Sequence, residues 1–395
     1  MSPLKVALVC DPLEEQWPSM DLVADMLFNC LKKGHPDICV EQLRPPIKKP
    51  LSHLPSFSRS AKTHNAERLL HRFLAYPSWL RKRVSQFDVF HIVDHSYSQL
   101  VHELPPASTV VSCHDLDTFR CILEPQKERR SRPFRLMTKR ILDGFSKASR
   151  IICDSNSVRD ELVRHKLVPA NRIDVILHAA HPECSPYPDP EADAVVEKLL
   201  KLNPGSRYLL HVGSTIPRKR IDVLLKVFAE VRATDSDIKL VRVGGPFTAS
   251  QEEIAHRLDI RQAIHVLPHI DRRTLSAVYR RADLLLITSD AEGFGLPVTE
   301  AMACGCPVVA SDLKVLREIG GDAAVFCPPD NPPLWAKTVS SLLVEKLGHQ
   351  ASWLKRKDRG LTNAARFTWE NSAAQFVAIY RAVMHSATAL SSQLN

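Results

Sequence analysis

A chain of 395 residues that is 44% hydrophobic and 25% charged has the make-up of an ordinary globular protein, long enough for two domains with separate cores. No apolar run reaches the roughly 18 residues of a membrane span, and "KVALVC" near the start is too short for a secretion signal and runs directly into "DPLEEQ". The ten cysteines are scattered with no C-x-x-C, which argues against a metal or redox role and for reduced, mostly buried thiols in a cytoplasmic protein.

The net charge of +9 is concentrated. Between Arg120 and Arg150 ten Lys and Arg face three acids, a local net of +7. Such a segment suits nucleic acid, anionic lipid or a phosphorylated ligand, and reads equally well as a solvated helix face. A peripheral contact with the inner face of an anionic membrane is the expectation carried forward; nucleic acid would leave the strongest motif of the chain unexplained.

In chain order, "KVALVC", "FDVFHIVDH", "STVVSCHD", "SRIICDS" and "RIDVIL" are short β-branched runs. They alternate with segments of helical period such as "MDLVADMLFNCLKK" and "SVRDELVRHKL". That alternation predicts a parallel sheet covered by helices. It breaks at "HPECSPYPDPEADA", with four prolines between 182 and 190, the best linker candidate. It restarts with "RYLLHVGS", "IKLVRVGG", "AIHVLP", "DLLLITS", "CPVVAS" and "AAVFCP", again with helices between. The expected fold class is α/β with two doubly wound, Rossmann-like domains facing a cleft. The expected limits are 1–185 and 200–368, with 369–395 a closing helix that crosses back to the first domain. Ligands in such sheets bind at the carboxyl ends of the strands.

One string carries most of the chemistry: "EGFGLPVTEAMACGCPVVAS", Glu292 to Ser311. A strand ends just before it. Pro297 is placed to open a helix and Gly305 to close it. Gly293 and Gly295 let a ligand approach bare backbone at a helix start, where free N–H groups and the dipole favour phosphate or sugar hydroxyls. Glu300 lies one turn into that helix and Glu292 in the loop before it. Taken alone, the two acids also fit a capping Glu and a surface Glu on a tight turn. Upstream, "HVGSTIPRKRIDVLLKVF" sets Arg218 and Lys219 between a strand end and a helix start. Positive charge there opposes the helix dipole, which argues mildly for an anionic ligand. "SCHDLD" places His114 and Asp115 at a strand end of the first domain, where a histidine can orient a hydroxyl or be merely structural.

As a whole, the Glu292–Ser311 string resembles the E-x7-E signature of retaining GT-B glycosyltransferases of family 4 (glycosyl transferases group 1). The resemblance is strong from about residue 207 to 329, fair from 112 to 176 and weak before that. It implies a GT-B fold and transfer of a sugar from a nucleotide-diphosphate donor (UDP-, GDP- or ADP-linked) to an unidentified acceptor hydroxyl, with retention, no cofactor and no metal. It implies that Glu292 meets the donor sugar, that Glu300 binds the ribose, and that the backbone of Gly293, Phe294, Gly295 and Leu296 holds sugar hydroxyls and phosphate. Lys219 and Arg218 would stabilise the departing diphosphate, and His114 would face the donor sugar. Gly213, Ser214 and Gly244 would line the nucleotide, and His269 would stand near the base. Ser214 stands where relatives often have arginine, and His269 where many have glycine. Two further departures lie in the first domain: "CDPLEEQWPSMD" has no glycine where relatives have a glycine-rich loop, and His178-Ala179-Ala180-His181 replaces an Asn-Gly. The alternatives within this architecture are a non-catalytic nucleotide-sugar-binding subunit and a sugar-nucleotide epimerase.

Overall fold

The computed structural model describes residues 3–47, 61–201 and 205–393. The chain divides into two compact units, one made of Met1–His178 with Trp369–Asn395 and the other of Ala179–Thr368.

The first unit holds six parallel strands: β1 Leu4–Val9, β2 Ile38–Leu43, β3 Val89–Ile92, β4 Thr109–Cys113, β5 Arg150–Cys153 and β6 Ile173–Val175, in spatial order β2-β1-β3-β4-β5-β6. β3 and β4 are buried at every position. Strands with helices on both faces must be apolar throughout, which is why these runs do not alternate. Val9, Phe90, Ile92, Val111 and Phe145 share one core with Tyr76, Leu100 and Phe119.

The helix Trp369–Gln393 completes this unit. Tyr380 Oη lies 2.7 Å from His91 Nδ1, the other nitrogen of His91 lies 2.8 Å from Ser112 Oγ, and Phe376 packs on the same imidazole at 5.1 Å between centroids. Burial drives the His91 pKa down to about 3, so the ring enters this network neutral. Ser372 donates to Leu177 O at 2.7 Å, and Arg381 pairs with Asp37.

The second unit repeats the plan with β7 Tyr208–Val212, β8 Lys239–Val243, β9 Ile264–Leu267, β10 Leu284–Ile287, β11 Val308–Ser311 and β12 Val325–Cys327, ordered β12-β11-β10-β7-β8-β9 and all parallel. Its core joins Leu209, Leu240 and Leu286 from the sheet to Leu224, Phe228 and Trp335 from the helices. The proline-rich stretch is packed against this unit. Ser185 N donates to Ser276 Oγ at 3.4 Å, Arg280 pairs with Asp193 at 3.1 Å, and Pro190 opens a helix that runs to Leu200.

In each sheet the chain winds outward on one side of its first strand and then returns to the other side. The reversal falls between β1 and β3 in the first unit and between β7 and β10 in the second. Carboxyl ends of strands at such a reversal are where doubly wound sheets bind ligands.

Candidate functional site

The switch point of the second sheet is occupied by the motif residues. β10 is fully buried and delivers Ser289 to the carboxyl edge of the sheet. The loop then turns at Gly295, which caps the helix Leu296–Ala303 at φ +93°. A Cβ at Gly295 would sit 2.9 Å from Leu316 Cδ2, so both the left-handed backbone and the close approach call for glycine. The helix starts at Leu296, one residue before the predicted Pro297 start. It ends at Ala303, with Gly305 beyond the cap at φ +71°. Phe294 is buried edge-on against Phe367, 6.1 Å between centroids, so its side chain anchors the loop and only its backbone is available to a ligand.

Glu292 lies at the centre of a tight ionic knot. Its Oε1 accepts from Lys219 Nζ at 2.6 Å and from Ser289 Oγ at 2.6 Å, and its Oε2 accepts from Arg218 Nη1 at 3.2 Å. The side chains are mostly buried: Glu292 is 7% exposed, Lys219 12% and Arg218 22%. Burial pushes the Glu292 carboxyl up, but Lys219 and Arg218 outweigh it and hold the group below the usual carboxylate range. The segment that carries the two cations is tied to β10 by Thr288 Oγ1, which donates to Lys219 O at 3.0 Å, and by Asp290 N, which donates to Arg218 O at 2.9 Å.

Glu300, 2% exposed, accepts from Tyr279 Oη at 3.0 Å and from Arg272 Nη1 at 3.1 Å. Burial raises its carboxyl, with Arg272 and Tyr279 offsetting only part of that. The ends of β7 and β8 meet at Gly213 and Gly244. A Cβ on Gly244 would fall 2.1 Å from Gly213 O, so the two strand ends can close only over glycine. Ser214 is exposed just beyond, and His269 is exposed beyond β9.

Of the residues expected to carry catalysis, three (Glu292, Lys219 and Arg218) are brought into direct contact, and the fourth, His114, belongs to the first unit. His114 is 6% exposed at the end of β4. Its Nδ1 lies 2.6 Å from Asp154 Oδ2 and its Nε2 lies 2.7 Å from Val93 O. Both partners are acceptors, so the ring holds both protons. Burial opposes that charge, but Asp154 and Asp94 prevail and raise the His114 pKa to about 9. Both ring nitrogens are thus taken by the protein. His178 Nε2 lies 2.9 Å from the other Asp154 oxygen, and its ring stacks on Trp369 at 5.5 Å.

His114, Asp154 and His178 are the group whose ligand atoms lie close enough together, within 4.8 Å, to hold a metal among the described residues. Donors bound tetrahedrally at about 2 Å from one ion stand roughly 3.3 Å apart. The 2.6 Å separation is the His114–Asp154 hydrogen bond, and the 2.9 Å approach of His178 to Asp154 is likewise closer than two ligands of one ion stand.

Sequence reasoning missed several residues. Ser289, Arg272 and Tyr279 complete the two glutamate sites but lie outside the motif. Asp154 stands in the strand string "SRIICDS" with nothing local to reveal its partners. At the first switch point, Asp11 after β1 is 1% exposed and neither carboxylate oxygen has a hydrogen-bond partner among the described residues. Burial, reinforced by Asp94, lifts its pKa to about 7.

The family described as Glycosyl transferases group 1 matches residues 196–366, and the one described as Glycosyltransferase Family 4 matches residues 32–183. O-antigen chain mannosyltransferase B of Escherichia coli is 29% identical over 287 residues, 71% of this chain and 72% of that protein. A D-inositol 3-phosphate glycosyltransferase of Rhodococcus opacus (strain B4) is 31% identical over 248 residues, 60% of this chain and 54% of that enzyme, so the match spans about half its length. Among solved structures, sucrose-phosphate synthase from Thermosynechococcus elongatus superposes with a TM-score of 0.72 at 19% identity, over 97% of this chain and 100% of that one. HepE of Anabaena, in complex with UDP and glucose, gives 0.70 at 14% identity, over 96% and 100%. These likenesses extend through both units. The chain is a glycosyltransferase of GT-B fold and belongs to the glycosyl transferases group 1 family.

Proposed function

We propose that the protein transfers a sugar from a nucleoside-diphosphate sugar to an acceptor hydroxyl with retention of anomeric configuration. The observation that supports this reading best is the knot at the second switch point. Two cations share one buried carboxylate beside a glycine turn and a helix start, leaving an excess of positive charge where a diphosphate is expected. HepE, which shares the fold, binds UDP and UDP-glucose.

In this reading the bond between the anomeric carbon and the diphosphate oxygen breaks. The acceptor oxygen bonds to that carbon on the same face, and the acceptor proton passes to the departing diphosphate. Glu292, kept ionised by Lys219 and Arg218, orients the sugar and steadies positive charge developing at the ring. Lys219 spends one of its three N–H donors on Glu292 and offers the others to the diphosphate. Arg218 and the N-terminus of the helix Leu296–Ala303 add to it, so the reading calls for no metal and no resident cofactor. Glu300 takes the ribose hydroxyls, and Gly293 to Leu296 meet the donor through backbone. The relatives' names favour transfer over epimerisation or mere binding.

Thermal-shift titration with UDP, GDP and ADP, and with their common sugars, tests the donor half. A ligand that binds only the folded state adds about 2.7 kcal/mol of stability at a hundredfold excess over Kd. One nucleotide should raise the midpoint in the wild type and lose most of that effect in Glu300→Ala. No shift with any nucleotide overturns the reading. Transfer that survives EDTA supports the metal-free form, and loss restored by a divalent cation refutes it.

We also propose that the helix Arg132–Lys147 touches an anionic membrane surface. It exposes Phe134 and Leu136 beside Arg132, Lys139 and Arg140. The contact proposed is a peripheral one; among the described residues no helix is long and apolar enough to cross a membrane. Sedimentation with anionic vesicles at low salt, lost at high salt, is the expected result, and no sedimentation in either condition refutes it.

A further inference from the structure

β8 reads KLVRV, and its fourth residue is a charge in the middle of a strand buried from Leu240 to Val243. Arg242 is 0% exposed. Among the described residues no carboxylate pairs with it. A guanidinium removed from water without a counter-ion is costly unless other groups take its N–H donors. Here backbone carbonyls take those of the two terminal nitrogens, while the buried Nε has no hydrogen-bond partner among the described residues. Nη2 donates to Gly213 O at 2.8 Å and more weakly to Gly244 O at 3.4 Å, and Nη1 donates to Gly245 O. The guanidinium carbon lies 5.2 Å from the centre of the Phe247 ring, a cation–π contact. Across the sheet His211 sits in register with it, buried and held neutral by burial and by the nearby Arg242 and Lys219.

These contacts have a directional consequence. A trans peptide points its C=O and the following N–H to opposite sides. Arg242 draws the Gly213 and Gly244 carbonyls inward, which turns the amides of Ser214 and Gly245 away from the guanidinium. Neither amide donates to another described residue. The same turn lies against the ionic knot, because a Cβ at Gly213 would sit 3.6 Å from Lys219 Cε. Arg218, Lys219 and Arg242 together carry three positive charges, and Glu292 returns one negative charge. This switch point therefore gathers three cations beside two glycine turns, a setting that suits a diphosphate diester.

We propose that Arg242 is a positioning residue for the diphosphate of the donor. It holds the Gly213 and Gly244–Gly245 turns so that the Ser214 and Gly245 amides face the anion, and its own buried charge is balanced only when that anion is bound. The inference rests on the nucleotide-sugar reading and adds a residue to it. It makes the site discriminate by phosphate count: the residue should matter for a diphosphate and little for a monophosphate of the same nucleoside.

Calorimetric titration of the full chain tests this with UDP, GDP and ADP, each against its monophosphate, and with inorganic pyrophosphate as a probe independent of the base. The proteins are wild type, Arg242→Lys and Arg242→Met. In Arg242→Met the affinity for the preferred diphosphate and for pyrophosphate should fall at least tenfold, and that for the monophosphate less than threefold. Arg242→Lys, which keeps the charge and loses the fork, should recover part of the diphosphate preference. If Arg242→Met fails to fold, the ratio of diphosphate to monophosphate affinity in Arg242→Lys decides: a ratio below that of the wild type supports the proposal, and an unchanged ratio overturns it. Equal losses for both ligands would make Arg242 structural and overturn it, as would no loss for either. Failure of the wild type to bind any nucleotide or pyrophosphate is the separate result that removes the donor reading itself.

Discussion

The two sheets share a topology and differ at their switch points. In the second unit the strand ends carry Gly213, Gly244 and a loop capped by Gly295, with Lys219 and Arg218 on Glu292 and Arg242 on the glycine carbonyls. In the first unit the strand ends carry Asp11, Asp94, His95, His114 and Asp154, and no glycine lies between Gly34 and Gly144. One edge has bare backbone and surplus positive charge, which suits phosphate. The other has acids and imidazoles, of which His114 and Asp154 are paired, a set of donors and acceptors that suits hydroxyl groups. The backbone layout sets where a ligand can bind, and the side chains at the strand ends set its charge.

The sharpest break of that contrast is in the first unit. Asp154 lies between two imidazoles with no exposure to spare, so Asp154→Asn leaves the His114 imidazolium buried and unpaired. We expect a loss of about 3–5 kcal/mol in urea unfolding. A loss below about 1 kcal/mol would show that the pair is not the buried ion pair described here. The pH dependence gives a second check. The folded pKa of His114 is raised, so its contribution is complete below the unfolded value near 6.5 and disappears as pH rises through about 9. That sloping loss should be missing in His114→Gln.

In the second unit, Lys219→Met should lower transfer by about 100- to 1,000-fold, or about 3–4 kcal/mol of barrier. A fall of less than tenfold would remove Lys219 from the leaving group. Asp11 in the first unit also loses stability as pH rises, over a lower window than His114. With a folded pKa near 7 it stays protonated while the unfolded chain ionises, so stability declines from about pH 4 to about pH 7 and then levels off. Asp11→Asn should abolish that decline and stabilise the fold at pH 8 by about 2 kcal/mol; destabilisation there would mean that the carboxylate has a partner. The smallest effect is at Glu300, where Glu300→Gln keeps the shape and loses the charge. Nucleotide affinity should drop about tenfold, or about 1.4 kcal/mol, and an unchanged affinity would take the ribose contact away from this residue.

Much of this contrast is legible in the sequence, unevenly. The site of the second unit reads well because Glu292, the loop glycines and Glu300 fall within nine consecutive residues, and because Arg218 and Lys219 follow a recognisable strand end. Strand order was outside the reach of periodicity, since fully buried parallel strands differ little from one another. Tyr279, Arg272 and Ser289 come to the glutamates through tertiary folding, at separations that no local pattern marks. Arg242 did leave a trace: a charge in the middle of an apolar run calls for a partner, and here the partner is backbone. Composition marks the proline-rich segment as a connector, and only the fold shows that Asp189, Asp193 and Ser185 tie it to the helix Arg272–Arg281.

The helix Trp369–Gln393 has a consequence for how the molecule is made. It supplies Phe376 and Tyr380 to the imidazole of His91 and Trp369 to His178, so the first unit closes with residues at the far end of the chain. The second unit is contiguous from Ala179 to Thr368 and has its whole sequence before that helix is synthesised. On a ribosome, where the chain emerges from the amino end, the domain begun first is therefore the domain finished last. Its buried histidines wait for their partners throughout the synthesis of the other half.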